Sequence, residues 1–132
     1  NKNKDRSINL LQLWIFPKKQ AVQPRYDQIS IRNLKKRNEF YQILSPNAND
    51  QGVWIHQNAW IHMGEFTGEK EQIYRLKDKN NGVYVFVIEG GALVDSKYLK
   101  KRDALGVWET ESLNIKADKN SKILLIEVPM KF

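Results

Sequence analysis

A chain of 132 residues with a net charge of +7, 41% hydrophobic residues and no cysteine has material for one hydrophobic core and one domain. The missing cysteines exclude disulfide frameworks, thiolate metal sites and cysteine nucleophiles, and they suit a reducing, cytoplasmic compartment. No apolar run is long enough to cross a bilayer as a helix and no charged-then-apolar leader opens the sequence, so no membrane partner is expected.

Residues 8–16 form an apolar run that Pro17 stops, and residues 17–25, with Pro24 among them, read as loop. Ile29 and Ile31 then alternate with polar neighbours. Residues 33–41 carry the one pattern that argues for a helix, through Leu34, Lys36, Arg37 and Phe40, but without a cap. Residues 40–44 form another apolar run, stopped by Ser45-Pro46-Asn47. Residues 52–56 and 59–66 make a long aromatic-rich stretch, and residues 72–76 alternate. Residues 82–94 predict a central hairpin turned at Gly90-Gly91. Residues 105–108, 113–117 and 123–128 complete the set. The runs 8–16 and 123–128 are apolar on both faces, as in strands covered on both sides by another sheet or a partner chain.

Turn signals roughly every ten residues predict an all-β sandwich or barrel. Its core would come from Leu11, Leu13, Ile15, Val53, Ile55, Tyr84, Phe86, Ile88, Leu113, Ile115, Leu124 and Ile126, or from their alternating partners. Basic residues gather at Lys18-Lys19, at Arg32 with Lys35-Lys36-Arg37, and at Lys97 with Lys100-Lys101-Arg102. These clusters fall at predicted turns, where lysines block edge pairing, rather than along one element as a nucleic-acid surface requires.

The two histidines, His56 and His62, lie in one stretch. In an unbroken strand His56, Asn58, Trp60 and His62 would share a face. The two imidazoles would then stand roughly 20 Å apart, at ~3.3 Å per residue, too far to hold one ion. Both therefore read as structural histidines. No Gly-x-Ser-x-Gly elbow is present, Glu109 and Glu111 read as a solvated turn, and Gly90-Gly91 is followed by no helix that would cradle a phosphate.

Several segments together resemble the C-terminal cupin half of pirin-like proteins, the two-cupin group that includes quercetin 2,3-dioxygenases. They are Leu11-Gln12-Leu13-Trp14-Ile15-Phe16-Pro17, Pro24-Arg25-Tyr26-Asp27-Gln28, and Ile55-His56-Gln57-Asn58-Ala59 with Gly64 downstream. Tyr84-Val85-Phe86-Val87-Ile88-Glu89-Gly90, then Leu99 and Asp103, and finally Leu124-Leu125-Ile126-Glu127-Val128-Pro129 follow in order. Asn58 stands where relatives often have Asp, and Arg102 where they usually have Gly.

The resemblance implies a cupin, a double-stranded β-helix barrel of roughly ten strands spanning residues 1–132. It also implies that the family's metal, such as Fe, Mn, Ni or Cu, sits in an N-terminal half that this chain lacks. The start at Asn1 rather than Met accords with a fragment. No catalytic residue and no metal ligand carries over by position, so no cofactor is expected here, and the domain alone is expected not to be an enzyme. The expected role is a structural or interaction module. Its partner would be a metal-bearing cupin half, another protein, or a second copy meeting it through an exposed sheet. A metal-dependent quercetin 2,3-dioxygenase-like oxygenase and a barrel for a small apolar ligand remain as alternatives. Trp54, His56, Asn58, Trp60, His62 and Trp108 are the candidates for lining a pocket at the barrel mouth.

Overall fold

The computed structural model describes residues 2–131. Among them ten strands form two sheets and no α-helix occurs. In chain order the strands are β1 (Phe40–Ser45), β2 (Val53–Trp54), β3 (Trp60–Phe66), β4 (Lys70–Arg75) and β5 (Asn81–Glu89). There follow β6 (Gly91–Val94), β7 (Lys97–Lys100), β8 (Ala104–Val107), β9 (Ser112–Ala117) and β10 (Ser121–Pro129). One sheet has six strands in the order β2-β1-β3-β10-β5-β8, the other four in the order β4-β9-β6-β7.

The last strand is the pivot of the larger sheet. β10 pairs antiparallel with β3 on one side, Glu127 opposite Trp60, and with β5 on the other, Glu127 opposite Val83. Because strand side chains alternate between faces, this register sends Val83, Val85, Val87, Ile123 and Leu125 inward against Tyr74, Val94, Leu113, Ile115 and Ala117 of the smaller sheet. All ten are buried, and each Val, Leu and Ile contributes ~1.5–3 kcal/mol by leaving water. Within β5 the core is therefore the alternating partner set: Tyr84 is 47% exposed and Phe86 and Ile88 share its outward face. β9 keeps Leu113 and Ile115 as expected.

Three expectations need correction. Residues 8–16 form no strand; they cross as an extended arm, and Leu11 and Leu13, expected in the core, are 45% and 46% exposed. Apolar composition there signals contact with a sheet face rather than ladder pairing, since the arm's Leu11, Leu13 and Ile15 line a groove with Leu44, Val53, Ile55 and Ile61. Residues 33–41 are not helical either. A single 3-10 turn, Ile31–Asn33, is capped by Ser30, and the Phe40 N–H then donates to Gln72 Oε1 at 3.0 Å as β1 begins.

The third concerns residues 82–94, which are not a hairpin. β5 belongs to the larger sheet and β6 to the smaller, so Gly90 carries the chain from one to the other. Its φ is +73°, and a Cβ there would stand 2.7 Å from Ser121 Cα, so the crossing needs glycine twice over. The hairpin comes one element later, β6 pairing with β7 with Leu93 opposite Tyr98 and Asp95 turning at φ 49°.

Candidate functional site

The chemistry of the interior gathers around Glu127, the one fully buried carboxylate among the described residues. β10 places it on the inward face between apolar neighbours, where an unpartnered charge would be costly. Four donors meet it. Its Oε1 accepts from the Lys77 N–H at 2.7 Å, the Asp78 N–H at 3.3 Å and Asn81 Nδ2 at 2.6 Å. Its Oε2 accepts from the Tyr74 hydroxyl at 2.7 Å.

Tyr74 extends the network to His62, whose Nδ1 lies 3.3 Å from the hydroxyl oxygen, with the two rings edge-on at 5.1 Å. A phenol has one proton, and the shorter contact to a carboxylate claims it. His62 must then donate from Nδ1, which leaves Nε2 as a bare acceptor. Burial, and after it the nearby Lys77 ammonium, pushes the His62 imidazole down to about 4, so the ring is neutral at neutral pH. Burial, and after it the charge of Glu127, raises the Tyr74 hydroxyl and keeps it protonated.

The six expected pocket residues are divided between two sides of the sheet. Trp60 and His62 lie on the inward face of β3. Trp54 and His56 instead line the outer groove under the arm, their rings edge-on at 4.9 Å. The chain bends between β2 and β3, at residues 55–59, and this break removes the shared face that an unbroken strand would have given. Asn58 accepts from Lys18 Nζ at 3.2 Å and belongs to the arm's anchorage. Trp108 is 56% exposed, just beyond β8.

Tyr74, Asn81 and Glu127 carry the network, and the sequence reading did not single them out. One signal was present: a lone Glu in the middle of Leu124-Leu125-Ile126-Glu127-Val128 must find partners if that run is buried.

The outer groove is a second feature, a cavity of about 580 Å³ between the arm and the larger sheet. The arm is tied to one short segment. Lys18 N–H donates to His56 O at 2.7 Å, Gln57 Nε2 to Phe16 O at 2.8 Å, and Arg25 to the Trp54 carbonyl. The Arg25 guanidinium also lies 4.2 Å above the Trp54 ring and pairs with Asp27 at 2.9 Å. Two of the basic clusters are partly neutralised within the chain, Lys35 by Glu65 at 2.9 Å and Lys101 by Glu89 at 2.7 Å.

Among the described residues no group of three or more His, Asp or Glu side chains is placed to hold a metal ion. The donor set does not suit one: His62 commits Nδ1 to Tyr74, both Glu127 oxygens are taken, and His56 stands in the outer groove.

A family model for the quercetinase C-terminal cupin domain matches residues 42–128. A quercetin 2,3-dioxygenase of Escherichia coli K12 is 23% identical over 129 residues, covering 98% of this chain and 54% of the relative. The chain thus spans about half the length of the curated relatives it matches. The crystal structure of a bacterial pirin, YhhW from Escherichia coli, in complex with nickel(II), superposes with a TM-score of 0.77 at 23% identity, over 88% of this chain and 48% of that one. A quercetin 2,3-dioxygenase from Acinetobacter baumannii superposes with a TM-score of 0.59 at 16% identity, over 70% of this chain and 31% of that one. The likeness establishes the cupin fold.

Proposed function

Because this chain belongs to the family of quercetinase C-terminal cupin domains, we propose that it is the non-catalytic half of a two-cupin protein, docking onto a metal-bearing cupin half. One observation carries the reading: an apolar surface with nothing over it. Leu10, Trp14 and Phe16 of the arm are 73%, 82% and 80% exposed, and Tyr84 on the outward face of β5 is 47% exposed. A surface of this kind marks an interface. The length of the relatives supports the same reading, since it leaves room for a second domain of similar size.

In this reading the oxygenase chemistry named for the relatives, and any Fe, Mn, Ni or Cu ion that serves it, belong to the other half. The mismatch between the donor set and a metal supports that division. This half contributes rigidity and contact area.

The test has two readouts on the full chain. Elemental analysis after incubation with Fe²⁺, Mn²⁺, Ni²⁺ and Cu²⁺ and removal of excess should find no stoichiometric metal. Retained metal that disappears in His56→Ala or His62→Ala would overturn the non-catalytic assignment. Sedimentation should show reversible self-association through the uncovered surface, and a clean monomer at high concentration would overturn the docking assignment.

A further inference from the structure

A cavity of about 330 Å³, at the low end of the range for small-molecule sites, opens at the β3–β4 end of the sandwich. Its walls include Phe40, His62, Gln72, Tyr74, Arg75 and Lys77. Two of its polar side chains are already engaged within the fold. Gln72 accepts the Phe40 N–H at 3.0 Å and donates to Asn38 O at 3.3 Å, while the Tyr74 hydroxyl lies between Glu127 and His62.

The His62 ring and two cations, Lys77 and Arg75, keep unused capacity, and neither cation forms an ion pair among the described residues. His62 is 8% exposed, and its Nε2 has no hydrogen-bond partner among the described residues. Among the described residues the buried side-chain atoms that lack a hydrogen-bond partner are Tyr41 Oη and Glu65 Oε1, so Nε2 is not sealed off and reaches solvent through the cavity that the ring lines. The Lys77 ammonium lies near enough to repel a proton from that ring, and it forms no ion pair among the described residues.

The requirement is unusual in combining opposite demands: one position needs an anion and its neighbour needs a hydrogen-bond donor. An acceptor-only anion satisfies Lys77 and sets lone pair against lone pair at Nε2. A neutral alcohol satisfies Nε2 and leaves the ammonium without a partner. Glu127, fixed by backbone amides of the following loop, holds Tyr74, and Tyr74 holds the tautomer of His62. The acceptor is thus preorganised. The Phe40 and Tyr74 rings supply apolar wall for a short carbon skeleton.

We propose that this cavity binds a small hydroxycarboxylate, its carboxylate on the Lys77 ammonium and its hydroxyl donating to His62 Nε2. The site stands apart from the docking surface, so either assignment can fail without the other.

L-lactate and propionate share a skeleton and differ by the hydroxyl, which makes them the probes. Long-range proton–nitrogen NMR of the labelled full chain reads the His62 ring directly. In the free protein it should show the proton on Nδ1; a proton on Nε2 would overturn the assignment. Titration with lactate at fixed ionic strength should shift Nε2 saturably, and propionate should bind about fivefold more weakly, the worth of one net hydrogen bond. His62→Phe should abolish that preference, and Lys77→Met, at an exposed side chain that does not hold the fold, should weaken both acids. Equal affinity for the two acids, or no saturation up to about 50 mM lactate, would overturn the proposal.

Discussion

At Glu127 a single substitution separates charge from shape. Glu127→Gln keeps the volume but turns one acceptor into a donor, facing either the Tyr74 hydroxyl or the amides of Lys77 and Asp78. The expected cost is about 2–3 kcal/mol of stability, measured by urea unfolding. Tyr74→Phe should cost less, about 1–2 kcal/mol, because the carboxylate keeps its other donors. His62 makes the same region pH-sensitive. Its imidazole titrates near 4 folded against 6.5 unfolded, so the unfolded chain binds the proton more readily between those values. Stability should be complete above about 6.5 and fall as pH drops towards 4, by about 3 kcal/mol from this group. The slope against pH should be shallower in His62→Phe over that window; an unchanged slope would show that the ring titrates normally.

Among the elements, Gly90 shows how a local signal is legible while its meaning is not. The turn was plain from Gly90-Gly91, and so were the strands on both sides. What one chain segment does not reveal is which sheet each strand joins, because that depends on β10, some thirty residues on. Parity was hidden for a related reason: β5 alternates Val with Tyr84, Phe86 and Ile88, all largely apolar, so nothing in Val83 to Ile88 says which set faces inward. The arm was read as a strand because Leu11, Leu13 and Ile15 alternate like one, and extended contact without pairing leaves the same pattern. The site was the least legible part, since Tyr74 and Glu127 meet across 53 residues with no motif between them. Gly90→Ala should destabilise by about 2 kcal/mol through its positive φ and the clash with Ser121. Gly68→Ala, where a new Cβ meets nothing within 4 Å, should change stability by less than about 0.5 kcal/mol. Unfolding of both variants under one condition checks the contrast.

For the whole molecule, the two faces of the larger sheet have opposite fates. One is closed against β4, β9, β6 and β7, and the other is covered in part by the arm and the loop after it. If the arm and the outward face of β5 form the docking surface, Trp14→Ser with Phe16→Ser should shift self-association to at least tenfold higher concentration in sedimentation, about 1.4 kcal/mol. Since both side chains are about four-fifths exposed, the unfolding midpoint should stay in place.

The position of β10 has a consequence for how the protein is made. Ser121–Pro129 is one of the two central strands of its sheet yet comes last of the ten along the sequence. Until it emerges, β3 and β5 each present an open edge, and the carboxylate that gathers Tyr74, Lys77, Asp78 and Asn81 does not yet exist. Folding of this domain must wait for β10, and a nascent chain that stalls before residue 121 is left with template edges for aggregation rather than with a smaller native domain.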